Sequence, residues 1–254
     1  MRTAEIYKSG FLTKLAAKPA HRVPYKRFSK PEIKTFEKFF RYVWWASAKF
    51  EKHHEVDFYD ADERHISYAL GSVIDLLISN TPEQFDWFLD VFEYEGQGAD
   101  RANWSRTSVQ QQCDFALRRT AVVEGELRTL SCLFIEAKII SNKSNVSNYA
   151  ESGMMRFVEG SYAHAMPQAV MMGYQRATNQ KLPDPLVEHF KRDGRRRGFE
   201  LEVTDGPNPV GRQLRGTNAL HSTVHERRVP NAGGVGPGPI ELYHLWLHVD
   251  HDRS

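Results

Sequence analysis

The chain has 254 residues, 41% of them hydrophobic and 26% charged, with a formal net charge of +2. That is the composition of a globular protein, long enough to bury a core without disulfide or metal staples. Only two cysteines occur, Cys113 and Cys132, with no paired CxxC spacing, which argues against a cysteine zinc site. No apolar run approaches the roughly 20 residues that span a bilayer, and the N-terminus lacks a signal-peptide core, so a cytoplasmic protein with no membrane contact is expected. Charge is unevenly placed. Residues 1–52 carry 13 Lys/Arg against 4 Asp/Glu, and a second basic run, KRDGRRRG, lies at 191–198. Both suit a polyanionic partner such as DNA.

Residues 1–30 read as irregular and basic. Residues 31–52 read as a helix started by Ser29-Lys30-Pro31. Together, residues 1–55 form a basic N-terminal extension ahead of a domain at 56–254. A second amphipathic helix is predicted at 61–79, with Ile66, Leu70, Val73, Ile74 and Leu77 on one face, ended by Asn80-Thr81-Pro82. A short aromatic helix follows at 83–92, then a polar loop to 110. Two β-rich segments, 112–123 and 127–140, separated by Glu124-Gly125-Glu126, predict an antiparallel hairpin. Residues 162–178 read as mostly helical despite Pro167, and 184–193 as a further helix. Dense glycine and proline predict loops and short strands over 194–239. The alternation in IELYHLWLHVD predicts a closing strand at 240–250.

The chemistry concentrates in LFIEAKII. On a strand, Glu136 and Lys138 share one face while Ile135, Ala137 and Ile139 take the other. A carboxylate and an ammonium inside an apolar strand cost several kcal/mol per ion unless they are paired or bind a charge. Asp114 lies 22 residues earlier, on the partner strand of the hairpin, where it can stand beside Glu136. Converging carboxylates suit magnesium, and a neighbouring lysine can orient an attacking water and stabilise phosphate charge. The competing reading is a hairpin salt bridge.

This Asp–x21–Glu–x–Lys arrangement resembles the PD-(D/E)xK (restriction-endonuclease-like) nuclease superfamily. The segment ERHISYAL resembles the superfamily's E-x-x-I-T/S-x-x-L helix, and Glu63 extends the apolar stripe of that helix. Gln168 and Tyr174 resemble the Gln-to-Tyr motif of RecB-like members, though spaced more widely than Q-x-x-x-Y. The resemblance covers about residues 60–175. It implies an α/β fold with a restriction-endonuclease-like core, a central mixed sheet flanked by helices and extended at both termini, with C-terminal strands and loops at about 194–254. It further implies a Mg2+-dependent (or Mn2+-dependent) endodeoxyribonuclease. Glu63, Asp114 and Glu136 would hold the metal and Lys138 would position the water. Arg156, Tyr162, Gln168, His225 and Arg227 are candidates for contact with the substrate backbone. Similar stand-alone nuclease subunits serve bacterial anti-phage defence beside a helicase or ATPase. Two alternatives stand next to this. One is a catalytically inactive nucleic-acid-binding or regulatory subunit of such a complex. The other is an interaction protein docking through FFRYVWW at 39–45, although a core role for that segment is the stronger expectation. His244 and His248, on one strand face at i, i+4, lie about 13 Å apart and are too distant to share an ion.

Overall fold

The computed structural model describes residues 27–54, 58, 60–96, 98–99, 112–120, 131–141, 143–163, 166–176, 181–192, 203–211, 219–227 and 238–248. The basic segment 1–26, the hairpin turn at 124–126 and most of the 191–198 run lie outside these residues. Helix α1 (Lys30–His54) begins in a capping box: the Ser29 N–H donates to Glu32 Oε2 at 2.6 Å, and the Glu32 N–H reaches back to Ser29 Oγ. Its inner face buries Ile33, Phe36, Phe40 and Val43 at helical spacing. The aromatic run is therefore split. Phe39 and Phe40 enter the core, whereas Tyr42 and Trp45 face outward. Helix α2 (Glu63–Asn80) starts on Asp62, whose side chain accepts from the His65 N–H, and buries Ile66, Leu70, Val73 and Ile74. A 3-10 turn (Pro82–Phe85) and helix α3 (Asp86–Leu89) stack Phe88 on Phe39 at 3.6 Å between centroids.

The expected loop after residue 92 includes strand β1 (Phe92–Tyr94), followed by a small separate pair, β2 (Gly98–Ala99) and β3 (Gln112–Cys113). Strands β4 (Phe115–Arg119) and β5 (Cys132–Ile140) form the expected antiparallel hairpin, with Phe115 opposite Ile135 and Leu117 opposite Leu133. A continuous helical segment follows, made of α4 (Lys143–Asn148), a π-helical stretch (Tyr149–Met154) and α5 (Met155–Val158).

The next element corrects the sequence reading. Residues predicted to lie in a helix over 162–178 instead form strand β6 (Gln168–Gln175), parallel to β5, so Gln168 and Tyr174 sit on a strand. All eight of its residues are buried, so both faces are covered and the period-2 signal of a half-exposed strand is absent. Helix α6 (Asp184–Arg192), strands β7 (Val203–Pro209) and β8 (His221–His225), and strand β9 (Ile240–His248) complete the fold.

The result is a mixed α/β architecture. A seven-stranded sheet in the order β1-β4-β5-β6-β9-β8-β7 is parallel at β5-β6-β9 and antiparallel outside them. Helices α1 and α2 cover one face, meeting Leu133, Ile135, Ala137, Val170 and Leu245. The α4–α5 segment and α6 cover the other, meeting Phe134, Ile140, Met171 and Trp246. Gly173 lets the layers close, because a Cβ there would stand 2.6 Å from Trp246 and 2.9 Å from Ile140. No described helix is long and apolar enough to cross a membrane.

Candidate active site

Strand β5 is the frame of the site. Its apolar side chains alternate between the two cores, and Glu136 and Lys138 take the face of Phe134 and Ile140. Both are buried, with side-chain exposures of 3% and 7%. Hairpin pairing with β4 stops at Phe115, one residue after Asp114. There the Asp114 carboxylate takes over the role of a strand neighbour and accepts the Ala137 N–H at 2.7 Å. The carboxylate is thereby fixed beside Glu136 and Lys138. Helix α2 supplies the third side. Glu63 Oε1 lies 2.6 Å from Lys138 Nζ, and Glu136 Oε1 lies 2.8 Å from the same nitrogen. Helix α5 supplies the fourth, where Arg156 Nη1 donates to Glu136 Oε1 at 2.7 Å and to the Tyr162 hydroxyl at 2.8 Å. Glu63 at 32% and Arg156 at 42% side-chain exposure mark the side on which the cluster meets solvent.

Three carboxylates thus face two cations. Burial pushes Glu136 up to about 7, an effect that Asp114 reinforces and Lys138 and Arg156 only partly oppose. Burial also raises Asp114, against the Ala137 N–H and the Lys138 charge. For Lys138 burial acts downward, but Glu136 and Glu63 outweigh it and hold the ammonium above its ordinary value. The site is short of positive charge, and its lysine is a firmly protonated cation.

Among the described residues no three His, Cys, Asp or Glu side chains are arranged around a common ion position. Instead Lys138 bridges Glu63 and Glu136. The donor chemistry nevertheless fits a hard divalent ion. All three acids are oxygen ligands, and the bonds to both glutamates run through Oε1, which leaves each Oε2 as a donor among the described residues. Holding an ion between the glutamates requires Lys138 to swing off its bridge.

The structure brings together Glu63, Asp114, Glu136, Lys138, Arg156 and Tyr162. It adds Ser67, which the sequence reading missed. Ser67 stands one turn beyond Glu63, helps hold down the Asp114 carboxyl, and lies 3.0 Å from the Tyr174 hydroxyl. The i, i+4 spacing from Glu63 is the signal that could have found it. Gly153 was also missed; it lies against the buried faces of Met171 and Lys138, where a Cβ would stand 2.4 Å from Met171 Cε.

The other candidates lie elsewhere. Gln168 is buried at the start of β6, where it joins the Phe28 backbone to Glu241 and Tyr243. The Arg227 guanidinium donates to the Met166 carbonyl. His225 is fully buried in a chain of hydrogen bonds on β8 and β9. Tyr149 donates to the Met171 carbonyl at 3.0 Å, so His244 Nδ1 must donate to the Tyr149 oxygen at 2.9 Å. His244 Nε2 then accepts from Thr223 Oγ1 at 2.8 Å, and His225 Nε2 donates to that oxygen at 2.6 Å. His225 Nδ1 is left as a buried acceptor with no partner among the described residues. Burial lowers both imidazoles, His225 to about 3 and His244 well below its ordinary value, so both are neutral.

Comparison with protein-family models, with curated proteins and with solved structures returns no match to this chain.

Proposed function

We propose that the chain is a metal-dependent nuclease of the PD-(D/E)xK type that hydrolyses DNA phosphodiester bonds as an endonuclease, with a role in defence or restriction. One observation carries the reading. A buried Glu136–Lys138 pair on interior strand β5 is met by Asp114, just before the adjacent strand β4, and by Glu63 from a preceding helix. The order of α2, the β4–β5 hairpin, the α4–α5 segment and the parallel strand β6 supports it. So does the excess of carboxylate over cation, which a divalent ion would offset.

Glu63, Asp114 and Glu136 would hold Mg2+ or Mn2+, which when bound supplies Lewis-acid polarisation of the phosphate and a more acidic water. The chain's own groups do the rest. Asp114 is oriented by the Ala137 N–H, so its geometry is set before substrate arrives. Lys138, which bridges Glu63 and Glu136, would swing off that bridge to orient the water and stabilise negative charge on the phosphate. The water oxygen would form the new P–O bond while giving up a proton to solvent, the bond to the leaving sugar oxygen would break, and that oxygen would take up a proton. Arg156 faces solvent beside Glu136 and holds Tyr162, placing its fork to bind a phosphate oxygen.

Purified protein incubated with plasmid and linear DNA in Mg2+ or Mn2+, with EDTA as the control, tests the reading. Glu136→Gln and Lys138→Met should abolish cutting, with circular dichroism showing that each variant is folded. Variants that cut as fast as the native chain would remove the chemistry from this site. The Lys138 bridge between two of the acids favours one alternative, an inactive nucleic-acid-binding subunit of a helicase or ATPase complex. DNA binding with no cutting in either metal, even beside such a partner, supports that alternative.

A further inference from the structure

The outer face of α1 carries charge and aromatic surface that the catalytic cluster does not use. Lys30, Lys34 and Lys38 are exposed and recur every four residues, so they form one line with a rise of about 6 Å between neighbours. The line continues into Tyr42, 38% exposed, and Trp45, 51% exposed. These two rings lie 5.6 Å apart between centroids, and Tyr42 rests edge-on against Phe85, which holds it in place.

Both acidic residues in this stretch of the helix are engaged by arginines on its flanks, Glu32 by Arg119 at 2.6 Å and Glu37 by Arg41 at 2.9 Å. None of the three lysines forms an ion pair among the described residues, and Lys38 lies over the Trp87 ring instead. An ordinary solvated helix places glutamates four residues from such lysines; here those positions hold only lysine and Tyr42. A protein interface is a poorer match, since lysine is depleted from interface cores.

We propose that this stripe binds single-stranded nucleic acid, with phosphates along the lysines and unpaired bases stacked on Tyr42 and Trp45. A duplex keeps its bases inside and cannot offer them to these rings, whereas a single strand offers both its phosphates and its π-faces. The aromatic end is the end nearest the candidate active site. Trp44 stacks on Tyr174 at 5.6 Å, and the Tyr174 hydroxyl meets Ser67, the residue that helps hold down the Asp114 carboxyl. The proposal rests on the nuclease reading for its ligand class, so its test is run without catalysis.

Fluorescence anisotropy of labelled oligothymidylate and oligouridylate with the full chain in EDTA, over a salt titration, provides that test. The tighter of the two names the strand. Replacing the three lysines (Lys30→Gln, Lys34→Gln, Lys38→Gln) should reduce the slope of log affinity against log salt by about 2, at roughly 0.7 per single-strand phosphate. Trp45→Ala should weaken binding about 5- to 150-fold at every salt concentration without changing the slope. Tyr68→Ala, an exposed ring off the stripe, should change neither. Circular dichroism shows that each variant is folded. An unchanged slope, an unchanged Trp45→Ala affinity, no binding by the native chain, or tighter binding to duplex DNA or anionic vesicles overturns the proposal. Stripe-dependent binding with no cleavage in Mg2+ or Mn2+, even beside a helicase or ATPase partner, would instead sink the nuclease reading and leave this surface standing.

Discussion

Replacing Glu136 with glutamine should reverse a pH trend in stability. The carboxyl is almost wholly buried and titrates at about 7 in the folded chain, against an ordinary value of 4.5. A group whose pKa is raised on folding favours the folded state below its unfolded value, and that contribution is lost as pH rises through the folded value. Over the interval from 4.5 to about 7, at ~1.4 kcal/mol per pH unit, ionised Glu136 costs the folded chain about 3 kcal/mol. Glu136→Gln removes the titration while keeping an oxygen acceptor for Lys138 and Arg156. Urea unfolding in EDTA, followed by circular dichroism at several pH values from 4.5 to 8, measures both chains. The stability difference between variant and native should move by about 3 kcal/mol in favour of the variant as pH rises. Taking the difference cancels every group the two chains share. A difference that stays flat with pH would refute the account of Glu136 as a carboxylate short of counter-charge. Under the nuclease reading, Mg2+ at pH 8 should also raise the melting temperature of the native chain more than that of the variant.

The buried histidines act in the opposite direction. Their folded pKa values are lowered, so the stability they lend is present above 6.5 and is lost as pH falls. Each should contribute a slope of ~1.4 kcal/mol per pH unit below 6.5, and His225→Gln should remove one such share of the slope in urea titrations at pH 4.5 to 6.5. Tyr149→Phe deletes the hydroxyl that joins the Met171 carbonyl to His244; thermal and urea unfolding should show a loss of about 1–3 kcal/mol, and no loss would mean the bonds are not made. Gly173→Ala places a Cβ within 3 Å of Trp246 and Ile140 between the two parallel strands. Overpacking there should cost about 1–3 kcal/mol in the same assays, and a neutral result would show that the sheet layers have slack.

Helices α1 and α2, the hairpin and the closing strand were legible because each has one buried and one exposed face, or a long β-rich run, and periodicity reports that directly. Strand β6 was not. QAVMMGYQ is buried throughout, carries Ala, Gln and Met that also suit helices, and pairs only with strands distant in sequence. The partition of FFRYVWW was legible in principle, since Phe39, Phe40 and Val43 follow the buried stripe while Tyr42 and Trp45 fall off it. The Tyr149–His244–Thr223–His225 chain was invisible, because it joins three elements that only the folded sheet brings together.

The site itself was legible for a different reason, and that reason also limits what the geometry means. A charged pair in an apolar strand is an inconsistency between local sequence and burial, and such conflicts concentrate at functional sites. The structure resolves only part of the conflict. Lys138 is satisfied by Glu63 and Glu136, but Glu136 is still pushed to about 7 and Asp114 is raised as well. A hairpin salt bridge selected for stability would be balanced, with carboxylates held below their ordinary values. Here burial outweighs the nearby cations and raises both buried carboxyls, while Glu63 and Arg156 open the cluster to solvent. Removing that burial cost would be simple, since the stability difference should move towards Glu136→Gln as pH rises. That a costly ionisable residue stands where three other elements converge is the local conflict that marks the cluster as a candidate site.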